Sequence, residues 1–159
     1  MADVKFEFVN RVKDIESGLK LPKRATKNSA GYDFYTIDEV TIPKSINNGL
    51  WLQGKPTLVK TGVKASFPDD LVLMLYNRSS NPGKRGLILA NGVGVIDADY
   101  YENENNDGEI MFAFYNYTDE DVVVKKGEAI GQGVFQLFFL TEDDQTTGER
   151  KGGYGSTGE

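Results

Sequence analysis

At 159 residues the chain suits one domain, long enough to bury roughly 70% of the surface its unfolded form exposes. It contains neither cysteine nor histidine. That removes disulfides, thiolate metal sites, the commonest general base, the commonest zinc ligand and every Ser-His or Cys-His arrangement. The formal net charge of −6 argues against a broad nucleic-acid surface but allows one small anion held by a few local cations. Any hydrolytic chemistry must therefore use a carboxylate base, a lysine or an oxygen-bound metal. No run of 18 apolar residues exists, so no membrane span is expected. Met1-Ala2-Asp3-Val4-Lys5 lacks the pattern of a signal peptide, and a cytoplasmic home fits.

In chain order, Val4 to Val9 alternates apolar and polar and predicts a strand, and Lys13 to Lys20 predicts two turns of helix. Approximate alternation returns over Tyr32 to Thr36, Thr57 to Phe67 and Ile110 to Tyr117. Leu71 to Tyr76 is a continuous apolar run, which predicts a strand buried on both faces. Turn signals fall at Asn47-Asn48-Gly49, Phe67-Pro68-Asp69-Asp70, Asn81-Pro82-Gly83, Thr118 to Asp121 and Lys125-Lys126-Gly127. Short strands at this spacing predict an all-β sandwich, jelly roll or small barrel. Tyr101 to Asp107 is acidic and polar and reads as an exposed loop. Residues 141–159 carry no strand pattern and read as an arm leaving a barrel made by residues 1–140.

Five segments carry candidate chemistry. Asp33 stands between two aromatics just after Gly31, either as a solvated turn acid or as a site acid. Asn77-Arg78-Ser79-Ser80 follows the apolar run. Ser79 or Ser80 can cap a short helical turn with Pro82 in its first turn, and such an end, with Arg78, accepts an anion. In Asn91-Gly92-Val93-Gly94-Val95-Ile96-Asp97-Ala98-Asp99-Tyr100, Asn91 can donate and accept at a base edge, and the glycines let a hairpin close on a flat ring. Asp97 follows the apolar pair Val95-Ile96 and is expected at the rim of a dry pocket, where a carboxylate can deprotonate water. Gln132 lies between Gly131 and Gly133 in a turn leading into a strand over Val134 to Leu140. The tail Arg150 to Gly158 sets an arginine, Tyr154, Ser156 and Thr157 among glycines. These are the ingredients of a nucleotide clamp, though a frayed tail has the same composition.

Together, in order and spacing from about Ala30 to Gly158, these segments resemble the five motifs of the homotrimeric dUTP pyrophosphatases (dUTPases). The resemblance implies a distorted jelly-roll β-barrel assembled as a homotrimer with exchanged C-terminal arms. Its three shared sites each convert dUTP and water to dUMP and pyrophosphate, with Mg²⁺ on the triphosphate. On this resemblance Asp97 is the base that activates the water attacking the α-phosphorus. Asn91 recognises uracil, with backbone groups of Gly94, Val95 and Ile96. Tyr100 lies under deoxyribose and Tyr154 stacks on uracil. Arg78, Ser79, Ser80, Gln132, Arg150, Gly155, Ser156 and Thr157 hold phosphates, and Asp33 supports the metal through water.

Three departures from the family pattern stand out. Ala129 replaces an arginine common in the fourth motif. Asn77-Arg78-Ser79-Ser80 replaces a common Pro-Arg-Ser-Gly. The loop between Tyr100 and Gly108 is longer than in many members and resembles some bacterial and phage forms. In some phage relatives such surface features also meet a repressor protein. Two rivals stay open: a deoxycytidine-nucleotide deaminase on the same barrel, and a non-catalytic binding protein. Neither nucleic acid nor membrane is an expected partner.

Overall fold

The computed structural model describes residues 3–15, 18–47, 49–51 and 54–153. The expected all-β architecture is present, with fourteen short strands among the described residues. In chain order they are β1 (Lys5–Phe8), β2 (Lys23–Arg24), β3 (Tyr32–Tyr35), β4 (Val40–Ile42), β5 (Ile46–Asn47), β6 (Leu50–Trp51), β7 (Thr57–Lys60), β8 (Val63–Ser66) and β9 (Leu71–Asn77). A one-and-a-half-turn helix, α1 (Ser80–Arg85), precedes β10 (Leu87–Leu89), β11 (Gly94–Ile96), β12 (Met111–Asn116), β13 (Val122–Val124) and β14 (Ala129–Leu137).

The largest sheet has the order β11-β9-β14-β3-β2, with β14 antiparallel to both β9 and β3. A second, β10-β12-β7, faces the same core, and pairs β1-β8, β13-β4 and β5-β6 complete the wall. The main core cluster draws on both larger sheets, and in it Phe34, Leu73, Ile110, Phe112 and Phe114 are fully buried. Aromatic edges interlock across it: Phe34 and Phe112 lie 5.5 Å apart, and Phe6 meets both Phe34 and Phe135. No described helix is long and apolar enough to cross a membrane.

Four expectations are corrected. Lys13 to Lys20 forms no helix among its described residues. The helical turn is 3-10, at Asn10–Val12, and it ends once Val12 has reached its small apolar cluster with Val9 and Ile37. The alternation over Thr57 to Phe67 is cut by Thr61-Gly62, where Gly62 has φ +67° and so turns the chain sharply between β7 and β8. The run Leu71 to Tyr76 is not buried on both faces: Leu73 and Leu75 are buried, and Val72, Met74 and Tyr76 are half-buried on the other side. The last strand starts at Ala129 and stops at Leu137, so Gln132 sits inside the sheet and not in a preceding turn.

Gly131 explains why that strand carries so little side chain. A Cβ there would stand 2.0 Å from Cε1 of the core ring Phe112. Gly131→Ala is therefore expected to cost about 1–3 kcal/mol by overpacking. A lowered urea midpoint with unchanged slope would register it, and an unchanged midpoint would mean Phe112 has room to move.

Candidate nucleotide site

The site residues assemble as two groups. The first lies where β3, β9 and β14 run side by side. Gln132 is in register with Asp33 on one side and Tyr76 on the other. Arg78, just past the end of β9, has Nε 3.5 Å from Asp33 Oδ1 and donates through Nη1 to the Ala129 carbonyl oxygen at 3.4 Å. Gln132 Nε2 donates to Asn77 O at 3.1 Å. Asp33, Arg78 and Gln132 are all half-buried, so their polar ends are held yet reachable. Ser79 precedes α1 as expected, but its side chain makes no capping bond and its residue is exposed, while Ser80 is half-buried. The burial of Tyr35 raises its phenol above the ordinary value, with the Asp33 carboxylate adding to the effect.

Two residues that sequence reasoning passed over hold this group in shape. Asn81 is buried and donates to Ile130 O at 2.8 Å and to Asn77 Oδ1 at 2.7 Å, tying α1 to β14 and β9. Gly31 clears space for Gln132, since a Cβ there would lie 2.3 Å from Gln132 Oε1. Neither has a legible signal in one sequence: Asn81 looks like a turn residue beside Pro82, and Gly31 like a turn before a strand.

The second group is the hairpin between β10 and the 3-10 turn Ala98–Tyr100. Gly92 N–H bonds Leu89 O and Val93 N–H bonds Asn91 O, closing a tight turn in which Gly92 has φ +70°. β11 then pairs with β9, Gly94 opposite Leu75 and Ile96 opposite Leu73. Between this strand and β12 lies a small cleft lined by Leu75, Leu89, Asn91, Val95, Ile96 and Phe112. Its lining side chains are apolar apart from Asn91. Asp97 comes directly after the lining pair, half in solvent.

Tyr100 is 5% exposed. Its hydroxyl donates to Glu109 O at 2.9 Å and accepts from Asn106 Nδ2 at 2.7 Å. Its ring lies under Arg150, whose guanidinium carbon is 5.7 Å from the centroid. The loop Tyr101 to Asp107 is less exposed than its composition implies. Lys64, fully buried in β8, reaches Glu102 at 2.7 Å and Asp107 at 2.9 Å. Burial alone would lower the Lys64 ammonium's pKa, but the two carboxylates outweigh it and raise it. A lysine in a short strand normally reads as a solvated face, so sequence gave no sign of this anchor.

The two groups share the large sheet, since β11 of the hairpin pairs with β9. Arg150 pairs with Asp97 at 2.6 Å and with Asp99 at 2.7 Å, on the hairpin of its own chain. Tyr154, Gly155, Ser156 and Thr157 lie outside the described residues. No cluster of three or more acidic side chains capable of caging a metal occurs among the described residues.

A half-buried Arg–Asp–Gln group and an apolar cleft with an acid at its lip have the donor inventory of a site for a phosphorylated heterocycle. The dUTPase family model matches residues 18–158. Over 155 residues the chain is 44% identical to the deoxyuridine 5'-triphosphate nucleotidohydrolase of Lactococcus lactis, covering 96% of each chain. It is 36% identical to the protein of that name from Desulfitobacterium hafniense, covering 98% of this chain and 95% of the relative. The crystal structure of dUTPase from Streptococcus mutans superposes with a TM-score of 0.75 at 43% identity, covering 86% of this chain and 98% of that one. A dUTPase from phage phi11 of S. aureus, 20% identical with a TM-score of 0.68, shares the fold, covering 90% of this chain and 95% of that one. The chain belongs to the dUTPase family.

Proposed function

We propose that the chain hydrolyses dUTP to dUMP and pyrophosphate with Asp97 as the general base. The observation that carries this reading is the position of Asp97, directly after the pair Val95-Ile96 that lines the cleft. A uracil ring in the cleft, read by Asn91 and the hairpin backbone, leaves its sugar and α-phosphate beyond the lip. Asp97 there takes a proton from water as the water oxygen bonds to the α-phosphorus. The bond from that phosphorus to the bridging oxygen breaks, and pyrophosphate leaves. Arg78, Ser79, Ser80 and Gln132 offer donors to the phosphates, and Arg150 with Gly155, Ser156 and Thr157 completes the set from the arm.

The donor set fits Mg²⁺ carried by the triphosphate and not by a protein cage. Magnesium keeps several waters and needs only one or two carboxylates beside phosphate oxygens. Asp33, half-buried beside Arg78, is the residue that supports it through water. When bound, the ion neutralises phosphate charge.

A homotrimer with exchanged arms also follows from this reading. Leu137, Phe138, Phe139 and Leu140 are 66%, 41%, 92% and 71% exposed, a contiguous apolar run just before the 141–159 arm. Surfaces of that kind mark subunit contacts.

The deciding experiment incubates the protein with Mg²⁺ and either dUTP or dCTP, assaying pyrophosphate and ammonia. Pyrophosphate from dUTP alone is expected. Ammonia from dCTP would make the chain a deaminase and overturn the proposal.

A further inference from the structure

Asn77 opposite Gly131 is the last pair at one end of the β9–β14 ladder. Beyond it the sheet no longer dictates the path, yet Arg78, Ser79 and Ser80 follow at once. The stretch 78–86 leaves β9 and returns at β10. One side chain holds both of its ends. The Asn77 amide accepts from Asn81 Nδ2 at 2.7 Å, in the first turn of α1, and donates to Leu87 O at 2.9 Å, just past the end of that helix.

Asn81 is buried, and its Nδ2 also donates to Ile130 O at 2.8 Å. That bond docks the stretch on β14, the strand that carries Gln132. The Asn81 N–H donates to Arg78 O at 3.0 Å and closes the turn between them. From the same strand, the Ala129 carbonyl oxygen accepts from Arg78. Gln132 Nε2 donates in return to the Asn77 carbonyl oxygen at 3.1 Å. An amide nitrogen carries two protons, so one N–H of Gln132 is left for an anion.

We propose that Asn81 is a positioning residue for polyphosphate, which with Asn77 forms a clasp that sets Arg78, Ser79 and Ser80 against Gln132. The proposal rests on the reading above, in which those four residues hold the phosphates. Asn81 is buried away from any ligand and acts through Asn77 and Ile130. Without the clasp the 78–80 turn must be ordered when the anion binds, and that ordering is subtracted from the affinity for phosphate. The cleft between β11 and β12 contains none of these residues, so a nucleoside binds there as before.

The test compares Asn81→Leu, of similar volume, and Asn77→Ala with the parent. Calorimetry with Mg²⁺ present measures binding of inorganic triphosphate, an unreactive dUTP analogue and deoxyuridine. Both variants are expected to bind the two phosphate ligands about three- to ten-fold more weakly, the factor that one or two hydrogen bonds carry. Deoxyuridine affinity should stay within about two-fold. The loss in the double variant should fall short of the product of the single losses, because the two side chains share a bond. Unchanged phosphate affinity in a folded variant, an equal loss for deoxyuridine, or a double variant that matches the product would each overturn the clasp. If Asn81→Leu failed to fold, Asn77→Ala, half-buried and with Asn81 still on Ile130, would decide alone. A parent that did not bind inorganic triphosphate would also overturn it. A parent that bound triphosphate but did not hydrolyse dUTP would end the functional reading, while the binding comparison still judged the clasp.

Discussion

Asp97→Asn is expected to lower dUTP turnover at least ~100-fold, the range for loss of a general base, while nucleotide affinity changes no more than a few fold. The amide keeps the size of the carboxylate and can still accept from Arg150, so neither the hairpin nor the cleft behind Val95 and Ile96 should rearrange. What it loses is the capacity to take a proton from water. Single-turnover hydrolysis, with binding measured separately on an unreactive dUTP analogue, separates chemistry from affinity. Turnover within a few fold of the parent would remove Asp97 from the role of base. Tight binding with no turnover is the expected pattern.

The second large effect is on stability, and it distinguishes two ways of breaking one ion-pair group. Asp107→Ala removes a carboxylate from the fully buried Lys64 and leaves its ammonium with Glu102, a half-exposed partner. Losing one partner of a buried charge costs about 3 kcal/mol. Lys64→Met removes the charge itself and fills the same space with an apolar chain, so its cost should be clearly smaller. Urea unfolding of the two variants gives the order directly. If Lys64→Met were the more damaging, the network would be a net source of stability and not a satisfied burial.

Acid should act in the same direction as Asp107→Ala. For Asp107, burial raises the carboxyl's pKa, but the Asn10 N–H and Lys64 outweigh it and hold the group below its ordinary 3.8. The bond from Lys64 holds Glu102 below 4.5. Groups depressed on folding contribute fully above their unfolded values. That contribution is lost as pH falls through the lowered folded values, so the loop's anchor should weaken below pH ~4.

How far the sequence could be read varied with the kind of interaction. Alternation and turn residues gave the all-β class and most strand positions because side-chain period and backbone angles are local properties. They misjudged Lys13 to Lys20, where the chain turns to bury Val12 instead of completing a helix. They also misjudged Leu71 to Tyr76, where the side chains of one face are only half covered. Asp33, Arg78 and Gln132 came from motif order, and the sheet register brings them together. The roles of Lys64, Asn81 and Asp99 were invisible, since each depends on a partner distant in sequence.

By itself, then, the order of residues determined an all-β chain without histidine or thiol chemistry, and a carboxylate placed directly after an apolar pair in a glycine-rich hairpin. These depend on residue type and short-range spacing. Only the tertiary structure decided that a buried lysine props the 101–107 loop and that the loop cradles Gly153. It also decided that Arg150 rests on Asp97. Those facts follow from which strands are neighbours, because charge pairing and close packing are set by distances that the chain acquires only on folding.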